Sequence, residues 1–120
     1  MWIQANIALV LQICGALTCS MISYALMPRF INRFTFAEEI SGNLLAYRSW
    51  GIMIFASGLM LIYAASHAEA RLPILLYSIV GKSSFIVPVL TTGRYLKRPA
   101  FPMALADVAM VALFAWYLLS

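Results

Sequence analysis

Residues 1–28 contain no Asp, Glu, Lys, Arg or His, and three further apolar runs follow in a chain of 120 residues. In a sequence of this length with 64% hydrophobic and 10% charged residues, so much apolar surface cannot be hidden from water in a core. Lipid is the solvent such a chain fits. The stretch 5–26 is about 33 Å long as a helix, enough for a hydrocarbon layer of about 30 Å. No basic residue precedes this run and no small-x-small site follows it. It is therefore expected to be a retained span and not a cleaved leader.

Three more spans follow, at 49–66, 72–92 and 101–119. The second is flanked by Arg48 and Trp50 at one end and by His67, Glu69 and Arg71 at the other. The third is interrupted by Lys82 and Pro88, and a proline so close to the end of a membrane helix should bend the last turns without ending it. The fourth has Pro102 in its first turn, where no hydrogen bond is lost. It carries Asp107 and finishes on Trp116 and Tyr117, as an interfacial aromatic belt does. The expected fold is all-α, a single integral membrane four-helix bundle with short loops.

The connection 28–48 is long enough for a short amphipathic helix, with Phe30, Ile31, Phe34 and Phe36 available to lie on the membrane surface. Residues 67–71 should form a tight turn. Arg29, Arg33, Arg48, Arg94, Lys97 and Arg98 fall in the first and third connections, against Arg71 alone in the second. The positive-inside rule then puts the first and third connections in the cytoplasm and both termini outside. The expected location is a bacterial plasma membrane, the cell inner membrane, crossed several times. The net charge of +4 reports this leaflet bias and gives no reason to expect a nucleic-acid partner. The partners expected are the lipid bilayer and either other membrane subunits or further copies of the chain.

No catalytic motif with a known mechanism is present. Cys14 and Cys19 are about 500° apart around a helix, which sets them on different faces and argues against a disulfide between them. His67 is the single histidine, and no spacing suits a metal. The adjacent Glu38 and Glu39 read as a solvated face opposite Arg29 and Arg33. Whether any cofactor binds is therefore a question about charges at membrane depth, and a quinone or a lipid is the class left open.

Lys82 is about 15 Å from either end of its span, and Asp107 about 9 Å into the next one. The two helices are consecutive and antiparallel, and an offset of about 6 Å lies within reach of a lysine stem leaning toward the cytoplasmic side. A Lys82–Asp107 pair inside the bundle is predicted, with Arg48 as a second candidate partner for Asp107. Tyr77, Ser78, Ser83 and Ser84 lie close enough to Lys82 to extend a polar pocket, or else to bond backbone carbonyls. A buried pair of this kind either fixes helix register or serves a polar headgroup, a quinone carbonyl or a proton. A four-span bundle this small is expected to leave little room for a cavity of the roughly 300–1,000 Å³ that ligands occupy. Gly51 and Gly58, one heptad apart, and the stripe Ala109, Ala112 and Ala115 mark expected helix contacts, within the bundle or between protomers.

The segment Tyr47–Phe85 resembles the DoxX-like small membrane proteins. The resemblance is carried by Arg48-Ser-Trp-Gly51, by Gly58-Leu-Met-Leu-Ile-Tyr-Ala64, by the turn Ala68-Glu-Ala-Arg-Leu-Pro73, and by Gly81-Lys82. It implies a four-helix membrane bundle, and some members of that family are subunits or partners of redox systems that use quinones. The long first connection and the missing N-terminal basic residue depart from it. Two kinds of function follow from these readings. One is a small subunit or helper of a larger membrane complex, or a binder of a lipid-like molecule. The other is a compact membrane enzyme, a quinone-linked redox component or a small homodimeric transporter working through Lys82 and Asp107.

Overall fold

The computed structural model describes residues 2–36, 44–92 and 97–119. Glu38, Glu39 and Arg94 lie outside the described residues. The described residues form six α-helices: α1 (Trp2–Cys19), α2 (Ile22–Leu26), α3 (Pro28–Phe36), α4 (Leu45–Ser66), α5 (Arg71–Thr92) and α6 (Ala100–Leu119). Four stretches are long and apolar enough to cross a bilayer: Trp2–Leu26, Leu45–Ser66, Ala68–Thr92 and Ala100–Leu119. The protein is all-α and membrane-spanning, and its longest dimension of 46 Å matches a bilayer with its headgroups, about 40–45 Å.

The helices begin earlier than the hydrophobic runs do. α4 starts at Leu45, so Arg48 lies inside the helix and not before it. The reason is physical: a helix satisfies its own backbone and continues past the hydrocarbon into the headgroup layer. The 67–71 connection is one 3₁₀ turn, Ala68–Ala70. Helix α5 runs through Pro88 to Thr92.

The bundle is two antiparallel pairs. In the first, α1 lies against α4 along a glycine seam. A Cβ placed on Gly58 would sit 2.7 Å from the Gly15 carbonyl oxygen and 2.8 Å from the Cys19 nitrogen. The two backbones approach as closely as only glycine permits, which is how lipid-embedded helices gain packing without a hydrophobic drive. The second pair is α5 with α6, whose contact near the basic connections is made by Val89, Ala100 and Ala104.

The two pairs meet at the end bearing the aromatic residues. There Ile7, Leu11, Leu61, Leu75 and Phe114 share one core drawn from all four spans, Trp2 stacks on Trp116 at 6.1 Å, and Arg71 ties three helices together. Its Nε donates to Ala64 O at 2.8 Å and its Nη2 to Ala65 O at 2.9 Å, while Nη1 reaches the Tyr117 hydroxyl at 3.4 Å. The last-turn carbonyls of α4 thus receive a cation, the favourable arrangement at a helix C-terminus.

Two features modify the simple four-span picture. The first span breaks at Ser20–Met21, where hydrogen bonds shorten from i−4 to i−3: Ser20 N to Leu17 O at 3.3 Å, Met21 N to Thr18 O at 3.2 Å, and Ser23 N to Ser20 O at 3.2 Å. Thr18 and Ser20 also bond backbone carbonyls with their hydroxyls, and such back-bonding bends helices. The short α2 leans on α4, where Gly51 admits the backbone of Ala25 and Tyr24 meets Trp50 edge-on at 4.8 Å. The amphipathic α3 is present as expected, with Asn32 and Thr35 buried and Phe30 and Phe34 turned out, 64% and 62% exposed. Tyr24 donates a hydrogen bond to Asn32 Oδ1. The apolar edge of α3 therefore faces away from the protein, as a helix lying in a membrane surface requires.

The alanine stripe of α6 does not pack inside the bundle, which leaves only the other contact expected for it, one between protomers. Ala109 and Ala112 are exposed, and the buried residues of that helix are Ala100, Ala104, Met110 and Phe114. Alanine is as compatible with lipid as with a neighbouring helix, so spacing alone did not decide its direction. Cys14 and Cys19 are free thiols.

Candidate functional site

Beyond the shared core, toward the basic end, the two pairs part and leave a half-open cavity of about 390 Å³ between them. This overturns the expectation that so small a bundle leaves little room. The space arises because the glycine seam draws α4 onto α1 and α2, while α5 and α6 close on each other, so neither pair fills the gap between them.

The floor of the cavity carries the charges. Lys82 Nζ donates to Asp107 Oδ1 at 3.1 Å and to Thr18 Oγ1 at 3.0 Å. The Lys82 side chain is 10% exposed and that of Asp107 22%. Thr18 passes the bond on, donating its hydroxyl proton to Cys14 O at 2.8 Å. By helical rise, Asp107 lies about 10 Å from the basic end of its span and Lys82 about 15 Å, inside the hydrocarbon layer. A lone charge at that depth costs at least about 2.5 kcal/mol. The opposite charge and the threonine oxygen offset that cost. The predicted pair is present. Thr18, which joins the first span to it, carried no signal that separates it from the other hydroxyl residues of a membrane helix.

The remaining candidates divide. Ser78 and Tyr77 line the cavity, Ser78 buried and Tyr77 on an exposed rim. Ser84 also lines it, but its hydroxyl is engaged by Gly81 O at 2.6 Å, the back-bonding weighed for it. Ser83 is not on the lining. Arg48 is exposed and away from the cavity, so it is not a partner of Asp107. Because α4 begins a turn earlier than its hydrophobic run, Arg48 lies in the first turn of that helix.

The walls are apolar and soft. Met21, Met53, Met103 and Met110 contribute from all sides, with Leu17 and Phe85 between them. Methionine side chains adapt to irregular shapes and recur at surfaces that accept varied apolar partners. His67 is far from this chemistry: its Nδ1 sits 2.9 Å from Tyr63 O and 3.0 Å from Ser66 Oγ, and its ring stacks on Tyr63 at 3.8 Å. Among the described residues no cluster of His, Cys, Asp and Glu is arranged to hold a metal.

An apolar chamber with one polar floor at membrane depth is chemically an amphiphile site: it desolvates a tail and offers hydrogen bonds to a head. Compared with protein-family models, with curated proteins and with solved structures, the chain matches none.

Proposed function

We propose that this protein binds a lipid-like amphiphile between its two helix pairs and serves as a small subunit or helper in a membrane system that makes or uses that molecule. The observation that carries the reading is the juxtaposition of the Lys82–Asp107 pair with a methionine-walled cavity of about 390 Å³. A pair that only fixed register would pack shut, as ion pairs in a dry core do. Here the charges face usable space. The resemblance of Tyr47–Phe85 to DoxX-like proteins, some of which work beside quinone-using redox systems, supports the same class of ligand.

The proposal includes an orientation. Arg29, Arg33, Arg48, Lys97 and Arg98 belong to the first and third connections and the helix ends beside them, and the charge bias assigns that end to the cytoplasm. Cysteines introduced at Lys97 and at Ala68 test it in intact cells with an impermeant thiol reagent. The Ala68 site should be labelled and the Lys97 site protected, and the opposite pattern inverts the protein.

Ligand binding is tested by purifying the chain in mild detergent and identifying co-extracted amphiphiles by mass spectrometry. One compound should be retained near one per chain by the natural sequence and lost from a folded Lys82→Met/Asp107→Leu variant. Equal retention by both would show that the floor does not hold it.

A further inference from the structure

Ser78 is 4% exposed and lines the cavity, yet its Oγ has no hydrogen-bond partner. The other serines on these walls show how easily that is avoided. Ser57 donates to Ile54 O at 2.7 Å and Ser84 to Gly81 O at 2.6 Å. A buried hydroxyl left unpaired is costly, so Ser78 stands out as a group whose partner comes from outside the chain.

Its neighbours on the floor are also incompletely used. A lysine ammonium has three N–H donors, and that of Lys82 spends one on Thr18 and one on Asp107. Asp107 accepts through Oδ1, and among the described residues no protein donor meets Oδ2. The floor therefore offers one N–H donor, one carboxylate acceptor and one hydroxyl able to act either way, and its net charge is zero.

We infer that the cavity selects an uncharged amphiphile whose head carries a hydroxyl beside a carbonyl or ester, and discriminates against an anionic head. This rests on the reading that the cavity holds an amphiphile. A hydroxyl donates to Asp107 Oδ2, and the two lone pairs of a carbonyl oxygen accept from Lys82 and Ser78. All three orphaned groups are then satisfied without breaking the ion pair. A phosphate or carboxylate head competes with Asp107 for Lys82 and brings a second anion beside the carboxylate. In a low-dielectric site that repulsion has little water to screen it. The volume accommodates about a dozen water-sized groups, a head and the start of its chains. The tails leave past the exposed Met53 and Tyr77 into lipid.

The test uses the full chain with Trp2→Phe and Trp116→Phe, leaving Trp50 on the cavity wall as the only fluorophore of its kind. Three probes share the same brominated acyl chains: a diacylglycerol, its methyl ether and the corresponding phosphatidate. In dilute mixed micelles the diacylglycerol should quench Trp50 saturably, near one per chain. It should bind about tenfold tighter than the phosphatidate, with the methyl ether between them. Ser78→Ala should weaken diacylglycerol binding at least about threefold while leaving the melting temperature equal or higher, since it removes an unpaired buried hydroxyl. Phosphatidate or methyl ether binding as tightly as diacylglycerol overturns the head-group selection and leaves the amphiphile reading standing. Unchanged affinity in Ser78→Ala removes Ser78 from the site. No saturable quenching by any probe overturns the amphiphile reading itself.

Discussion

Gly58 and Gly81 both lie within membrane spans, and the structure uses them in opposite ways. At Gly58 an added Cβ would meet Cys19 Sγ and the Gly15 carbonyl at 2.7 Å each, whereas at Gly81 it would meet nothing within 4 Å. The first glycine lets one backbone reach another. The second leaves a space open. In water such a space would fill by hydrophobic collapse, but lipid tails are as apolar as leucine and provide no such drive. A small residue in a membrane helix is therefore a seam where a partner backbone arrives and a chamber where none does. The same composition yields tight packing between α1 and α4 and a cavity between the pairs.

The contrast is most easily broken at the floor of the chamber. Lys82→Met alone and Asp107→Leu alone should each lower stability by about 3–5 kcal/mol, because each strands a charge in a water-poor interior. The double replacement should recover most of that loss, and SDS-titrated unfolding of the four proteins measures it. Additive losses would mean that the two side chains do not act as a pair. Next in size is the seam. Gly58→Ala should destabilise by about 1–3 kcal/mol, since the clash is with backbone and a flexible side chain cannot absorb all of it. Melting of the detergent-solubilised protein reads the effect, and a neutral outcome would show that α1 and α4 are not in backbone contact. Smallest, and of opposite sign, is Gly81→Ala. With no atom to strike, it should stabilise α5 by roughly 0.5–1 kcal/mol, while reducing the amount of co-purified amphiphile because its methyl group enters the chamber. A destabilised Gly81→Ala would mean that the space is already closed by protein.

Much of this was legible in the sequence. The four spans follow from apolar run length, and the Lys82–Asp107 pair follows from two lone charges on consecutive antiparallel helices. Phe30 and Phe34 on a surface helix follow from their spacing in the first connection. The chamber was not legible, because it depends on how two helix pairs diverge, and hydropathy is blind to that. The break at Ser20–Met21 has neither Pro nor Gly to announce it. Only the succession of hydrogen-bonding side chains Thr18, Cys19 and Ser20 hints at it, and such residues are common in unbroken membrane helices. Arg48 went astray, and the alanines of α6 stayed undecided, for related reasons. A basic residue flanking a hydrophobic run can face headgroups as well as a buried acid, and alanine carries no preference between lipid and protein.

Arg71 sets how the molecule can flex. It fastens the final carbonyls of α4 to the beginning of α5 and reaches the hydroxyl of Tyr117 near the end of α6, so both limbs of the structure are riveted at one tip. Limbs joined in this way behave as tongs: a small angular change near the rivet becomes a larger travel at the far tips, while points close to the pivot scarcely move. Lys82 and Asp107 sit together on the α5–α6 limb, so a small swing leaves their bond intact and falls on the Lys82–Thr18 hydrogen bond of 3.0 Å, which crosses to the other limb. The gap between the limbs can thus change width while the ion pair itself stays closed.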